Sequence, residues 1–152
     1  MTAQELDLVA QSPRAFPNAF GNTVGLVLRS TSRTARFRSE LAAPTDLTGK
    51  EVWIRAAEVF DGVAVPAGGT GYLIGLEDAA GRIALADSDS AGGVPRPWSR
   101  ELAFTKTMLT TQRFPAGCFV GNRFDMTRVR AVVLRLNRGD GRAIALDQLQ
   151  VV

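Results

Sequence analysis

The chain has 152 residues with no histidine and one cysteine. This excludes a Ser-His-Asp triad, a Cys-His pair, histidine acid–base chemistry, the usual zinc sites and any internal disulfide. Hydrophobic residues make up 45% and charged residues 22%, the balance of one globular domain that can bury a core without metal or disulfide. The net charge of +3 comes from eighteen basic residues, nearly all arginine, set against fifteen acids. They are scattered, with no basic block and no interleaved aromatic stripe, so no nucleic-acid partner is expected; the arginine bias fits a GC-rich genome. No apolar run is long enough for a membrane helix, so no membrane partner is expected either.

In chain order the signals are those of short strands. Met1–Leu8 lacks a basic start and an apolar stretch, so no signal peptide is expected. Glu5–Ala10 alternates weakly and reads as an edge strand, after which Pro13, Pro17, Asn18 and Gly21-Asn22 break the chain. Val24–Arg29 is a strand, with Ala35–Leu41 as its hairpin partner; the arginines Arg29, Arg33, Arg36 and Arg38 read as a solvated face or loop. Asp46–Gly49 is a turn into the strand Glu51–Val59, and Gly62–Gly71 is a loop. Tyr72–Glu77 and Arg82–Ala86 form a hairpin at Asp78-Ala79-Ala80-Gly81. Asp87–Trp98 is the most loop-like stretch, with a helical turn expected near Pro97–Leu102. Lys106–Phe114 is a strand ended by Pro115. Thr127–Asn137 and Arg142–Val152 close the domain as a hairpin around Arg138-Gly139-Asp140-Gly141. The reading is one antiparallel all-β domain, residues 1–152, with about eight to ten strands.

Alternation nominates residues for function. Val52, Ile54 and Ala56 share a core face, which puts Trp53, Arg55 and Ala57 on the other. A tryptophan ring there could stack on the C–H face of a sugar while Arg55 donates to hydroxyls. The alternative is a covered Trp53 with Arg55 running past it. Trp98 is the second candidate, in a loop that Pro95 and Pro97 stiffen around Arg96; the alternative is a plug at the end of a sandwich. Asp87, Ser88, Asp89 and Ser90 offer oxygens to sugar hydroxyls or weakly to calcium, or simply form a solvated loop. Tyr72 shares a face with Ile74 and Leu76 and reads as core, and Cys118, among small and apolar neighbours, as a buried inert thiol. The acids Asp61, Glu77, Asp78, Asp87 and Asp89 fall nearly all at turns and pick out no catalytic pair, so no enzyme is expected. The Arg138-Gly139-Asp140 tripeptide is explained by hairpin chemistry.

Four segments carry a family likeness: Asp46–Lys50 followed by Val52–Arg55; Tyr72–Gly81; Thr107–Pro115 with Cys118-Phe119 and Phe124–Val129; and Ala143–Leu149. In this order they resemble the galactose-binding-like jelly roll, which includes many carbohydrate-binding modules and C-terminal domains of secreted bacterial hydrolases. Gln148 departs from the pattern, standing where the family has a second acid after Asp147. The resemblance implies a two-sheet antiparallel β-sandwich acting as a non-catalytic carbohydrate-binding module. Its partners would be a polysaccharide and a catalytic domain in the same parent chain. Its place would be outside the cell or at the cell surface, with the cytoplasm as the alternative. No cofactor is required; a structural Ca2+ joining the first and last strands would be held by Asp147 with Glu5 or Asp7. The competing reading is a structural or protein-interaction sandwich that stabilises a neighbouring domain or an oligomer.

Overall fold

β-Branched and aromatic residues between glycine and proline breaks form eight strands among the residues described by the computed structural model, which are 26–29, 36–58, 71–94, 109–136 and 143–152. They are β1 (Leu26–Arg29), β2 (Arg36–Thr45), β3 (Glu51–Glu58), β4 (Leu73–Asp78), β5 (Ile83–Asp87), β6 (Thr110–Pro115), β7 (Val129–Arg135) and β8 (Ala143–Val151). One sheet runs β1-β8-β3-β6 and the other β2-β7-β4-β5, every pair antiparallel. This interleaving of strand numbers is the jelly roll, and the expected two-sheet sandwich is the fold observed.

Of the expected hairpins only β4–β5 forms, on the predicted turn. β1 pairs with β8 and β2 with β7, so the proposed hairpin of Val24–Arg29 with Ala35–Leu41 is incorrect. The closing hairpin fails likewise, because β7 and β8 lie in different sheets. The reason is geometric: a few residues bridge the roughly 10 Å between packed sheets as readily as they turn back within one sheet. Pro115 closes β6 from inside, tolerated because β6 is an edge strand and Pro115 is its last residue. Thr127 and Arg128 belong to a 3-10 turn rather than to β7. Glu5–Ala10, most of Gly62–Gly71, the helical turn near Pro97–Leu102 and residues 106–108 lie outside the described residues.

Alternation places Val52, Ile54, Ala56, Phe114 and Ile144 of one sheet against Phe37, Ile74, Leu76, Val132 and Leu134 of the other. Tyr72 is buried with them, its ring edge-on to Phe114 at 6.4 Å, and Phe114 in turn meets Phe119 at 6.3 Å. Two polar groups enter this core with partners: the Tyr72 hydroxyl donates to Gln112 Oε1, and Gln112 Nε2 donates to the Gly93 carbonyl. Burial pushes the Tyr72 phenol pKa up. Cys118 is half-buried at the core margin, less enclosed than expected.

The β4–β5 turn is locked by Asp78, a fully buried carboxylate. Its Oδ1 accepts from the Ala80 and Arg82 amides at 2.9 Å each; its Oδ2 accepts from Arg82 Nε at 2.7 Å and the Asp125 amide at 3.1 Å. Gly81 takes φ 79°, in the region where a Cβ is strained. On the outer face of the same sheet, Glu77 is clamped between Arg38 (Nε to Oε2, 2.9 Å) and Arg130. Burial alone would push the Asp78 carboxyl up, but hydrogen bonds from Arg82, Asp125 and Ala80 more than offset it, and the net displacement is downward. For Glu77 the Arg38 hydrogen bond is the main cause, opposed by burial and reinforced by Arg130; its pKa is also lowered.

Each folded-state pKa is depressed. The stabilisation is therefore complete above the ordinary carboxylate range near pH 4 and is lost as pH falls through the folded-state values. Asp78→Asn is expected to lower the thermal midpoint at pH 7 by roughly 5 °C or more and to flatten the acid limb of a midpoint–pH curve. An unchanged curve would refute the lock. Gly121 supplies a second test: a Cβ there would lie 2.7 Å from Ala84 Cα and 2.8 Å from the Ile83 carbonyl, both backbone atoms of β5. Gly121→Ala should cost about 1–3 kcal/mol in urea denaturation with the slope unchanged.

Candidate functional site

The outward residues of β3 are Glu51, Trp53 and Arg55, as alternation requires once Val52, Ile54 and Ala56 are in the core. Ala57, expected on this outer face, is fully buried. Register sets their neighbours. Trp53 lies between Arg113 of the edge strand β6 and Gln150 of β8, and Arg55 lies between Thr111 and Gln148. Arg113, Thr111 and Gln150 are exposed, while Trp53 and Arg55 are half-buried.

The Trp53 ring is held from two sides. Its Nε1–H donates to Glu51 Oε2 at 2.6 Å, and the Arg113 guanidinium lies over the ring, 4.4 Å from its centroid. The indole is therefore already ordered, so little side-chain entropy remains to be lost on binding. The guanidinium covers ring surface that a sugar was expected to contact, so an incoming ligand meets a Trp53–Arg113 pair rather than a bare indole. Sequence reasoning missed Arg113, Glu51 and Gln150. Alternation in Thr110–Pro115 signals that Thr111 and Arg113 point outward, but nothing in the sequence brings Arg113 beside Trp53.

Asp87 and Asp89 stand elsewhere, at the end of β5. The Asp87 side chain caps a 3-10 turn, Ser88–Ala91, by accepting the Asp89 amide at 3.0 Å, and Ser90 Oγ donates to the Asp87 carbonyl at 2.6 Å. Gly92 and Gly93 follow at φ 91° and 72°, returning amides to Asp89 and Ser88. Ser88 is fully buried and exchanges hydrogen bonds with the Tyr72 backbone; Gln112 of β6 holds Gly93. Asp87 is thus engaged in shaping the loop, and the loop is fastened to the strand that carries Arg113.

Arg96 and Trp98 lie outside the described residues, as do Glu5 and Asp7. Asp147 is the residue of β8 skipped where the register with β3 shifts, and its side chain is outside the described set. Among the described residues, no three acids or cysteines gather as a metal site would require.

The two-sheet β-sandwich is similar in fold to solved carbohydrate-binding modules. A family 30 carbohydrate-binding module matches it with a TM-score of 0.58 at 14% identity, over 84% of this chain and 75% of that one. The family 30 module of the cellulosomal cellulase Cel9D-Cel44B of Clostridium thermocellum matches at 0.57 and 14% identity, over 84% and 73%. An exo-β-agarase contains a similar unit, at TM-score 0.51 and 9% identity over 84% of this chain; the match spans only 20% of the agarase. The sequence matches no protein-family model and no curated protein.

The Trp53–Arg113 contact is testable by a double-mutant cycle with Trp53→Ala and Arg113→Ala. Urea denaturation should return a coupling of about 0.5–1 kcal/mol. Strictly additive effects would show that the two side chains do not interact in solution.

Proposed function

We propose that this domain is a non-catalytic carbohydrate-binding module whose ligand lies across the outer face of β8, β3 and β6. One observation carries the reading: an ordered tryptophan, flanked by arginines and amide or hydroxyl side chains, on the open face of a sandwich whose structural neighbours include carbohydrate-binding modules. The indole edge and the Arg113 plane supply apolar contact to pyranose C–H groups, while Arg55, Gln150 and Thr111 supply hydrogen bonds to hydroxyls. Arg96 and Trp98, which lie outside the described residues, are kept as further candidate contacts. The parent protein would carry a hydrolase domain and act outside the cell or at its surface.

Two features support glycan binding over the alternatives, the first bearing on catalysis and the second on protein docking. A glycosidase acid needs a pKa raised toward neutrality, whereas Glu77 and Asp78 are both depressed and engaged in structural hydrogen bonds. Among the described residues the exposed large apolar side chains are Val120, Leu149 and Val152. Val120 pairs with β5 and the other two lie on the opposite sheet, so the described residues make no broad apolar patch of the kind a protein-docking surface presents.

Affinity gel electrophoresis against a panel of plant and algal polysaccharides tests the reading. Retention is expected on at least one, weakened about tenfold or more in Trp53→Ala and further in Trp53→Ala/Trp98→Ala. Absence of retention across the panel, or retention unchanged in the double variant, would overturn it.

A further inference from the structure

The charge on this face narrows the ligand class. Its described outward side chains contribute two guanidinium groups, Arg55 and Arg113, and one carboxylate, Glu51. Glu51 is committed to the Trp53 indole N–H. Arg113 is exposed on the edge strand and makes no ion pair among the described residues; its contact is with the Trp53 ring. Two arginines of the other sheet differ. Arg38 and Arg130 are bound to Glu77, and Arg38 also to Glu40.

A guanidinium held over an indole is restrained in position while its N–H edge remains available to donate. That edge matches the two oxygens of a carboxylate or sulfate in a bidentate pair, a geometry lysine cannot reproduce. A neutral glycan would gain little from a pre-oriented cation that is paired with no described carboxylate.

We propose that the β8–β3–β6 face takes an anionic polysaccharide, with Arg113, oriented by Trp53, receiving a carboxylate or sulfate ester of the chain. This rests on the carbohydrate-binding reading and specifies its substrate class. Trp53 acts as a positioning residue for Arg113 as well as an apolar surface. Binding then depends on the shape of the cation, not on its charge alone.

The experiment compares polygalacturonate, a sulfated galactan, agarose and cellulose by affinity electrophoresis and calorimetry, at about 20 mM and about 500 mM NaCl. The intact chain is compared with Arg113→Lys, Arg113→Ala and Trp53→Phe, each first shown to keep the thermal midpoint of the parent. The expected result is preference for an anionic polymer, loss of about tenfold affinity or more at high salt, and a similar loss in Arg113→Lys at low salt. Retention on polygalacturonate alone assigns a carboxylate, and on the galactan alone a sulfate ester. Equal, salt-insensitive binding of the neutral polymers would overturn the anionic class while leaving the carbohydrate-binding reading standing. Full affinity in Arg113→Lys would overturn the role given to the planar fork. No binding to any polymer would remove both readings.

Discussion

A single buried carboxylate ties together the parts of this sandwich that sequence order leaves apart. Asp78 sits at the end of β4, fully enclosed, and takes hydrogen bonds from its own turn and from Asp125, on the turn that leads into β7. β7 is paired with β4 on one side and β2 on the other. The carboxylate therefore connects the one local hairpin to the strand that organises the rest of its sheet. An unsatisfied charge at this depth would cost more than the surrounding apolar contacts could offset, so the four donors and the burial are required together.

From that sheet the jelly-roll path determines what the other one presents. Except between β4 and β5, each successive strand crosses to the opposite sheet, so both are assembled from strands distant in sequence. β3 is flanked by β6 and β8, and the outer face of these three strands collects residues from positions 51–55, 111–113 and 148–150. Cross-strand register then decides chemistry: Trp53 faces Arg113 directly, and the ring is ordered by contacts on two sides.

The two outer faces use their arginines in opposite ways. On the sheet containing β2, β4 and β7, the Arg38 and Arg130 guanidinium groups surround Glu77, and that cluster is internally matched. On the sheet containing β3, β6 and β8, arginine lies on an aromatic ring with its donors directed to no described carboxylate. Assembly of the strands thus gives basic residues that are scattered along the chain different surroundings: a carboxylate for Arg38 and Arg130, an aromatic ring for Arg113.

The sequence by itself determined the class of fold, the β4–β5 turn and the two faces of β3. These depend on local rules: period-two alternation, and an Asp-x-x-Gly turn that needs positive φ at Gly81. Alternation put Trp53 and Arg55 outward and Tyr72, Ile74 and Leu76 inward, and the structure agrees. Only the tertiary structure decided which strands pair. A short connection looks the same whether it turns back within a sheet or crosses to the other, so the two misassigned hairpins could not be avoided from local signals. For the same reason Arg113, sixty residues from Trp53, entered the candidate site only when β6 was seen beside β3. Register, a property of paired strands, turned an isolated outward tryptophan into an aromatic–guanidinium pair.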